Sequence, residues 1–137
     1  MAYWLMKSEP DAYSWQQLLK DKRTPWNGVR NYQANNNMKA MKLGDLAFFY
    51  HSNEERAIVG IMKVVKLWRL DPADATGKFG MVEVAPVKTL KRPVTLAEIK
   101  ADPKLVKMIF VRQSRLSVSP VLAAEWKIIN KKAGLIG

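Results

Sequence analysis

The chain has 137 residues, 48% of them apolar and 26% charged, which suits one domain of ordinary size with a real hydrophobic core. It holds no cysteine and one histidine, so disulfides, zinc ribbons and thiol chemistry are excluded, and neither a metal nor a cofactor is expected. The net charge of +11 is uneven: residues 1–90 carry 13 Lys/Arg against 9 Asp/Glu, whereas residues 91–137 carry 10 against 3. Such a field attracts polyanions without saying which.

In chain order, the opening MAYWLMKSEP is apolar too briefly for a signal peptide or a membrane span, which leads us to expect a soluble, cytoplasmic protein with no membrane partner. Tyr3 to Met6 reads as a buried strand ended by Pro10. A short helix follows in DAYSWQQLLKD, with Ser14 as N-cap, Gln17 at the reciprocal capping-box position, Tyr13 and Leu18 as a hydrophobic staple, and Trp15, Leu18 and Leu19 on one face. In NYQANNNMKAMKLGD, Ala34, Met38 and Met41 fall at helical spacing and Gly44 is the stop. Three consecutive asparagines are poor helix formers, so some of these amides are expected to serve another purpose.

DLAFFYHSN is apolar on both alternating faces, as a central strand is, and it presents His51, Ser52 and Asn53 at its end. Glu54 and Glu55 then read as a solvated hairpin turn. Ala57 to Leu70 is a long strand in which Gly60 suggests a bulge or bend. Another strand, FGMVEVAPVKTL, follows the loop DPADATGK. Thr95 opens a capped helix with Glu98 completing the box and Val94 with Ile99 as staple. MIFVRQSRLSVSPV reads as strand, polar loop and strand, before a last helix bearing Trp126, Ile128 and Ile129. The sum is an α+β domain around a curled, largely antiparallel sheet flanked by short helices, expected as a single unit over residues 1–137 and as a monomer.

Chemistry is sparse. A Ser-His-Asp triad would need His51, whose neighbour Ser52 points to the opposite face of a strand. There is no GxGxxG and no P-loop. In KSEP, a continuing strand would put Lys7 and Glu9 on one face and Ser8 on the other, with the pair either an acid/base device or a structural salt bridge, or with Ser8 simply capping the strand end. Trp4, Trp15 and Trp126 read as core, and Trp68 as a half-buried cover. Trp26 stands apart, because it precedes Asn27-Gly28 in a loop where no packing period demands it. Its ring either stacks on a planar heterocycle whose edge the nearby amides read, or plugs one end of the curled sheet.

The blocks YWLMKSEP, TPWNGVRNYQANNNMKAMKLGD, FFYHSN, GIMKVVK, RPVTLAEIKADP and RQSRLSVSPV…EW occur in this order, and together they resemble the EVE domain family from Tyr3 to about Ile129. The resemblance implies a PUA-like fold, a pseudo-barrel related to the YTH and ASCH domains, with a pocket for a nucleobase. Modified cytosines in DNA are the implied ligands, with modified RNA bases as the neighbouring possibility. Carried over by motif, the pocket is built from Trp26, Asn27, Val29, Arg30 and Asn31 of WNGVRN, Lys7 and Ser8 of KSEP, Tyr50, His51 and Ser52 of YHS, and Gln113 of RQSR. Arg30, Arg112 and Arg115 would hold phosphates.

Two stretches depart from the family pattern. RLDPADATGKFG is short where many relatives carry a long insertion, and LAAEW lacks the capping start usual for the last helix. The expected function is a non-enzymatic reader that binds a flipped or unpaired modified base in nucleic acid, DNA before RNA. The rivals are a metal-independent hydrolase of modified nucleosides, ASCH-like, using Lys7 and Glu9 with Ser8 as helper, and a plain RNA-binding domain of the PUA type.

Overall fold

A computed structural model describes residues 2–53 and 55–135. In chain order the elements are β1 (Tyr3–Ser8), α1 (Trp15–Asp21), β2 (Thr24–Pro25), α2 (Tyr32–Ala40), β3 (Leu46–His51), β4 (Ala57–Leu70), β5 (Gly80–Thr95), α3 (Leu96–Ala101), α4 (Ile109–Arg112), β6 (Val118–Val121) and α5 (Ala123–Lys132). Among the described residues the strands form one mixed sheet of order β2-β5-β4-β3-β1-β6, which does not close. Every pairing is antiparallel except that of β1 with β3.

Successive side chains of a strand point to opposite faces, and β3 is apolar on both. Ala47 and Phe49 therefore join Trp4 and Met6 in one core, which Trp15 and Leu18 of α1 and Ala34 and Met38 of α2 cover. Phe48 and Tyr50 join Leu5 in a second core, covered by Ile99 of α3, Phe110 of α4, and Trp126 and Ile129 of α5. Trp126 stacks on Phe48 at 3.9 Å between ring centroids, with Tyr3 on its flank at 4.5 Å.

The caps follow the sequence closely. Ser14 accepts from the Gln17 amide at 3.1 Å, but the Gln17 side chain turns to Asp21 instead of closing a box, and Leu19 is exposed while Trp15 and Leu18 are buried. Thr95 and Glu98 form the full capping box. At the start of α5, Glu125 accepts from the Leu122 amide at 2.9 Å, which supplies half of a box where the N-cap side chain is apolar. Two asparagines of α2 have structural work. The Asn35 carbonyl oxygen accepts from the Trp68 indole at 2.8 Å and the Gly80 amide at 3.0 Å, and Asn37 donates to the Val118 carbonyl at 2.7 Å. These bonds tie α2 to β4, β5 and β6 and explain why amides occupy a helix they do not favour.

Three expectations need correction. MIFV is not a strand: the chain runs through successive turns after Asp102, with the Met108 carbonyl accepting from Arg112 and that of Ile109 from Gln113. Leu105 and Met108 are buried three residues apart, a spacing that a short apolar run conceals. Helix α2 ends at Ala40, before Gly44. Of the expected hairpin turn, Glu54 lies outside the described residues, and Glu55 is paired with His51.

Gly60 has a sharper role than a bend. The register of β4 against β5 shifts between Ile58 and Gly60, and a Cβ at Gly60 would lie 2.4 Å from the indole of Trp15. The glycine lets α1 lie flat on the sheet. Gly60→Ala is expected to destabilise the fold by about 1–3 kcal/mol through overpacking, read as a lower urea midpoint with an unchanged slope.

Candidate nucleobase site

At the end of β1 the chain turns sharply. The Glu9 carbonyl accepts from the Ala12 and Tyr13 amides at 3.0 and 2.9 Å, and the Ser8 hydroxyl donates to the Tyr13 carbonyl at 2.6 Å. Opposite this turn, β2 pairs with β5, and the Trp26 amide donates to the Val82 carbonyl at 2.7 Å. Gly28, with φ of +80°, then reverses the chain, and its amide donates to a carboxylate oxygen of Asp71 at 2.9 Å. Trp26 is thereby held from both sides. Its ring packs edge-on to Phe49 at 5.5 Å and 84°, and it retains 8% exposure.

Between these walls lies a hollow of about 410 Å³. Trp26, Asn27, Thr24 and Pro25 form one side, and Ser8, Glu9, Ala12 and Tyr13 the other, with Lys7 at the end of β1. The volume is that of a small-molecule site. The Trp26 ring belongs to the first core and also lines the hollow.

Lys7 borders this hollow, but its ammonium is turned to the other face of the sheet. It pairs with Tyr50 across the parallel ladder, on the face of the second core. Its ammonium donates to the Ser114 carbonyl at 2.9 Å and sits 6.0 and 5.6 Å from the ring centroids of Tyr50 and Phe110. Burial holds its pKa below the usual lysine value. Here a second hollow of about 320 Å³ opens, lined by Lys7, Tyr50, Ser52, Arg56, Lys100 and Phe110 among others. A third, shallower surface carries Asn31, Arg112, Gln113 and Arg115.

The eleven residues that the motifs gather into one pocket, and the two further arginines assigned to phosphates, thus separate. Trp26, Asn27, Ser8 and Lys7 line the first hollow, Tyr50 and Ser52 the second, and Asn31, Arg112, Gln113 and Arg115 the third. Val29 is buried in the first core. Asn31 caps α2 by accepting from the Ala34 amide at 2.9 Å, and Arg30 is paired with Asp71 at 3.1 Å. His51 is buried: its Nε2 accepts from the Trp15 amide at 3.0 Å and its Nδ1 faces Glu55 at 2.7 Å, so it anchors α1 instead of meeting a ligand. Lys7 and Glu9 form no ion pair among the described residues, since β1 ends at Ser8 and Glu9 belongs to the turn. No metal-binding group of His, Cys, Asp and Glu occurs among the described residues, and no helix there is long and apolar enough to cross a membrane.

Sequence reasoning missed Tyr13, Thr24 and Asp71. Tyr13 carried a signal, but its staple position masked it; burial raises its phenol pKa and its hydroxyl donates to Asp21 at 2.8 Å. Asp71 sits in a turn-like DPAD and gave no hint of the Gly28 turn it holds.

A mixed sheet with helices on both faces and a hollow at the end of its first strand is a fold of the PUA type. The EVE domain family model matches residues 2–132, and the chain belongs to that family. It is 36% identical to human thymocyte nuclear protein 1 over 93% of this chain and 72% of that protein. The crystal structure of human THYN1 in complex with 5-methylcytosine-containing DNA superposes with a TM-score of 0.89 at 35% identity, over 97% of this chain and 98% of that one. Rpa0253 from Rhodopseudomonas palustris gives 0.94 at 49% identity, over 100% and 96%. The YTH domain of Zygosaccharomyces rouxii MRB1, at 14% identity and a TM-score of 0.61 over 99% and 88%, shares the fold.

Asp71 provides a test of how the Trp26 turn is held. The Gly28 and Ala73 amides, then Arg30, hold its carboxyl below the usual carboxylate range. A depressed folded pKa gives stability that is present above the unfolded value of about 3.9 and is lost as pH falls through the folded value. Asp71→Asn should therefore cost about 1–3 kcal/mol at neutral pH, and its deficit against the parent chain should shrink below about pH 4. Urea melts from pH 2 to pH 7 check both expectations.

Proposed function

We propose that this chain is a reader that holds a modified nucleobase, flipped or unpaired, in the Trp26 hollow and leaves it chemically unchanged. The observation that carries the reading is the hollow itself, where one fixed indole is surrounded by Ser8, Glu9, Thr24 and Asn27. Stacking on an aromatic ring is worth about 1–3 kcal/mol per base and is indifferent to which base it is. Selectivity then falls to the polar rim, where the Glu9 carboxylate accepts from an exocyclic amine such as that of cytosine and Asn27 offers both a donor and an acceptor.

The likeness to THYN1, solved with 5-methylcytosine-containing DNA, favours a modified cytosine in DNA. A single methyl group in an apolar slot contributes about 1–3 kcal/mol, so discrimination against plain cytosine is modest unless an edge hydrogen bond also changes. Arg112 and Arg115, exposed on the neighbouring surface, suit the phosphates. The turn of the Lys7 ammonium toward Ser114, away from Glu9, supports a reader over a hydrolase, because the acid/base pair is not assembled.

The test pairs two variants, because Trp26 also belongs to the core. Asn27→Ala changes an exposed side chain and is expected to weaken binding of 5-methyl-2′-deoxycytidine about tenfold, with unchanged thermal stability, by loss of one edge hydrogen bond of about 1–1.5 kcal/mol. Trp26→Phe keeps the packing against Phe49 and should weaken the nucleoside as well as an oligonucleotide carrying it. Calorimetry reads affinity, and mass spectrometry should recover the nucleoside intact. Released free base or a deaminated product would overturn the reader and promote the hydrolase.

A further inference from the structure

The second hollow is unlike the first. Among its described lining residues are three cations, Lys7, Arg56 and Lys100, and no acid. Its two rings, Tyr50 and Phe110, meet edge to face at 62°, and the Lys7 ammonium lies over both. Both rings are buried in the second core. What remains exposed is positive charge and hydroxyl donors, Ser52 and Ser114.

Arg56 is set for this use. Its backbone φ is +47°, a conformation a side-chain-bearing residue rarely adopts, and Asn53 at the same rim has φ of +70°. The Arg56 Nε donates to the Asn53 carbonyl at 2.9 Å, which fixes the guanidinium; among the described residues its terminal nitrogens make no hydrogen bond. Lys7 lines both the first and second hollows, and Ser114 lines both the second and the arginine surface. The Lys7 to Ser114 hydrogen bond of 2.9 Å joins the three into one track.

We propose that the second hollow is an anion site that takes a backbone phosphate of the nucleic-acid strand, one step from the base in the Trp26 hollow, with Arg56 and Lys100 as its ligands beside Lys7. The strand assignment rests on the reader reading; the anion chemistry stands on the hollow alone. Phosphates position a strand and bases specify it, so this site sets register without adding selectivity.

Three measurements on the full chain decide it. Inorganic phosphate, titrated by amide NMR, is expected to shift Ser52, Asn53 and Ser114 saturably, and Arg56→Gln/Lys100→Gln to abolish those shifts. For a single-stranded oligonucleotide carrying 5-methylcytosine, the same double variant should reduce the slope of log affinity against log salt by about 0.7, as loss of one neutralised phosphate requires. The nucleoside 5-methyl-2′-deoxycytidine should move the Trp26 indole signal equally in both proteins. If the double variant does not fold, Lys100→Gln alone carries the test, since that side chain is exposed. Phosphate that leaves Ser52, Asn53 and Ser114 unmoved overturns the anion site, whatever the nucleoside does. Phosphate shifts with an unchanged oligonucleotide salt slope overturn the assignment to a strand. A nucleoside that fails to move Trp26 while both phosphate arms succeed removes the base reading and supports the anion site.

Discussion

The parallel pairing of β1 with β3 is the constraint on which the rest depends. Two adjacent strands, apolar on both faces, must be covered twice, and the chain does this with α1 and α2 on one side and α3, α4 and α5 on the other. The ladder runs to its last rung, Ser8 opposite His51. At that rung the alternation continues where apolar cover has run out, so side chains of opposite chemistry emerge on opposite faces. Ser8 and His51 go toward Trp15 and the Trp26 hollow, and Lys7 and Tyr50 toward the cationic hollow. One strand end therefore borders two hollows of different chemistry, one aromatic and one cationic.

The buried polar groups around this end are each satisfied by a partner far away in sequence. His51 shows the logic: its Nε2 accepts the Trp15 amide, so its proton lies on Nδ1 and is donated to Glu55. That bond satisfies a first-turn amide of α1 where no capping side chain reaches. Asp71 does the same for the Gly28 turn, and Asn35 for the Trp68 indole and Gly80. The hollow keeps its shape because polar residues, which read as candidate ligand contacts in sequence, are spent on the frame.

Which parts were legible follows from the range of the interactions. Local signals carried: Ser14 and Thr95 as caps, the limits of the strand from Ala57 to Leu70, Gly60 as an irregularity and the two-sided apolar pattern of LAFFYH. MIFV failed because four apolar residues fit either period, and the neighbours that fix a helical turn are set by tertiary packing. The placement of the motif residues was not legible, because sequence proximity cannot say which face a strand end presents. Tyr50, His51 and Ser52 are consecutive, yet Tyr50 and Ser52 line the second hollow while His51 is buried under α1. Asp71 was invisible because its partner Gly28 lies 43 residues away.

The double role of Trp26 follows from the energetics of binding. A ring freely displayed on a loop would lose rotamer freedom when a base stacked on it, a cost of about 0.5–1.5 kcal/mol per immobilised side chain, comparable to the stacking gain itself. Here that ordering takes place on folding, where Phe49, the Val82 carbonyl and the Asp71-bound Gly28 turn fix the indole. Core membership thus orders the indole before any ligand arrives, which is the energetic condition for the stacking role proposed for it. The same reasoning applies to the proposed anion site, where Asn53 fixes the Arg56 guanidinium.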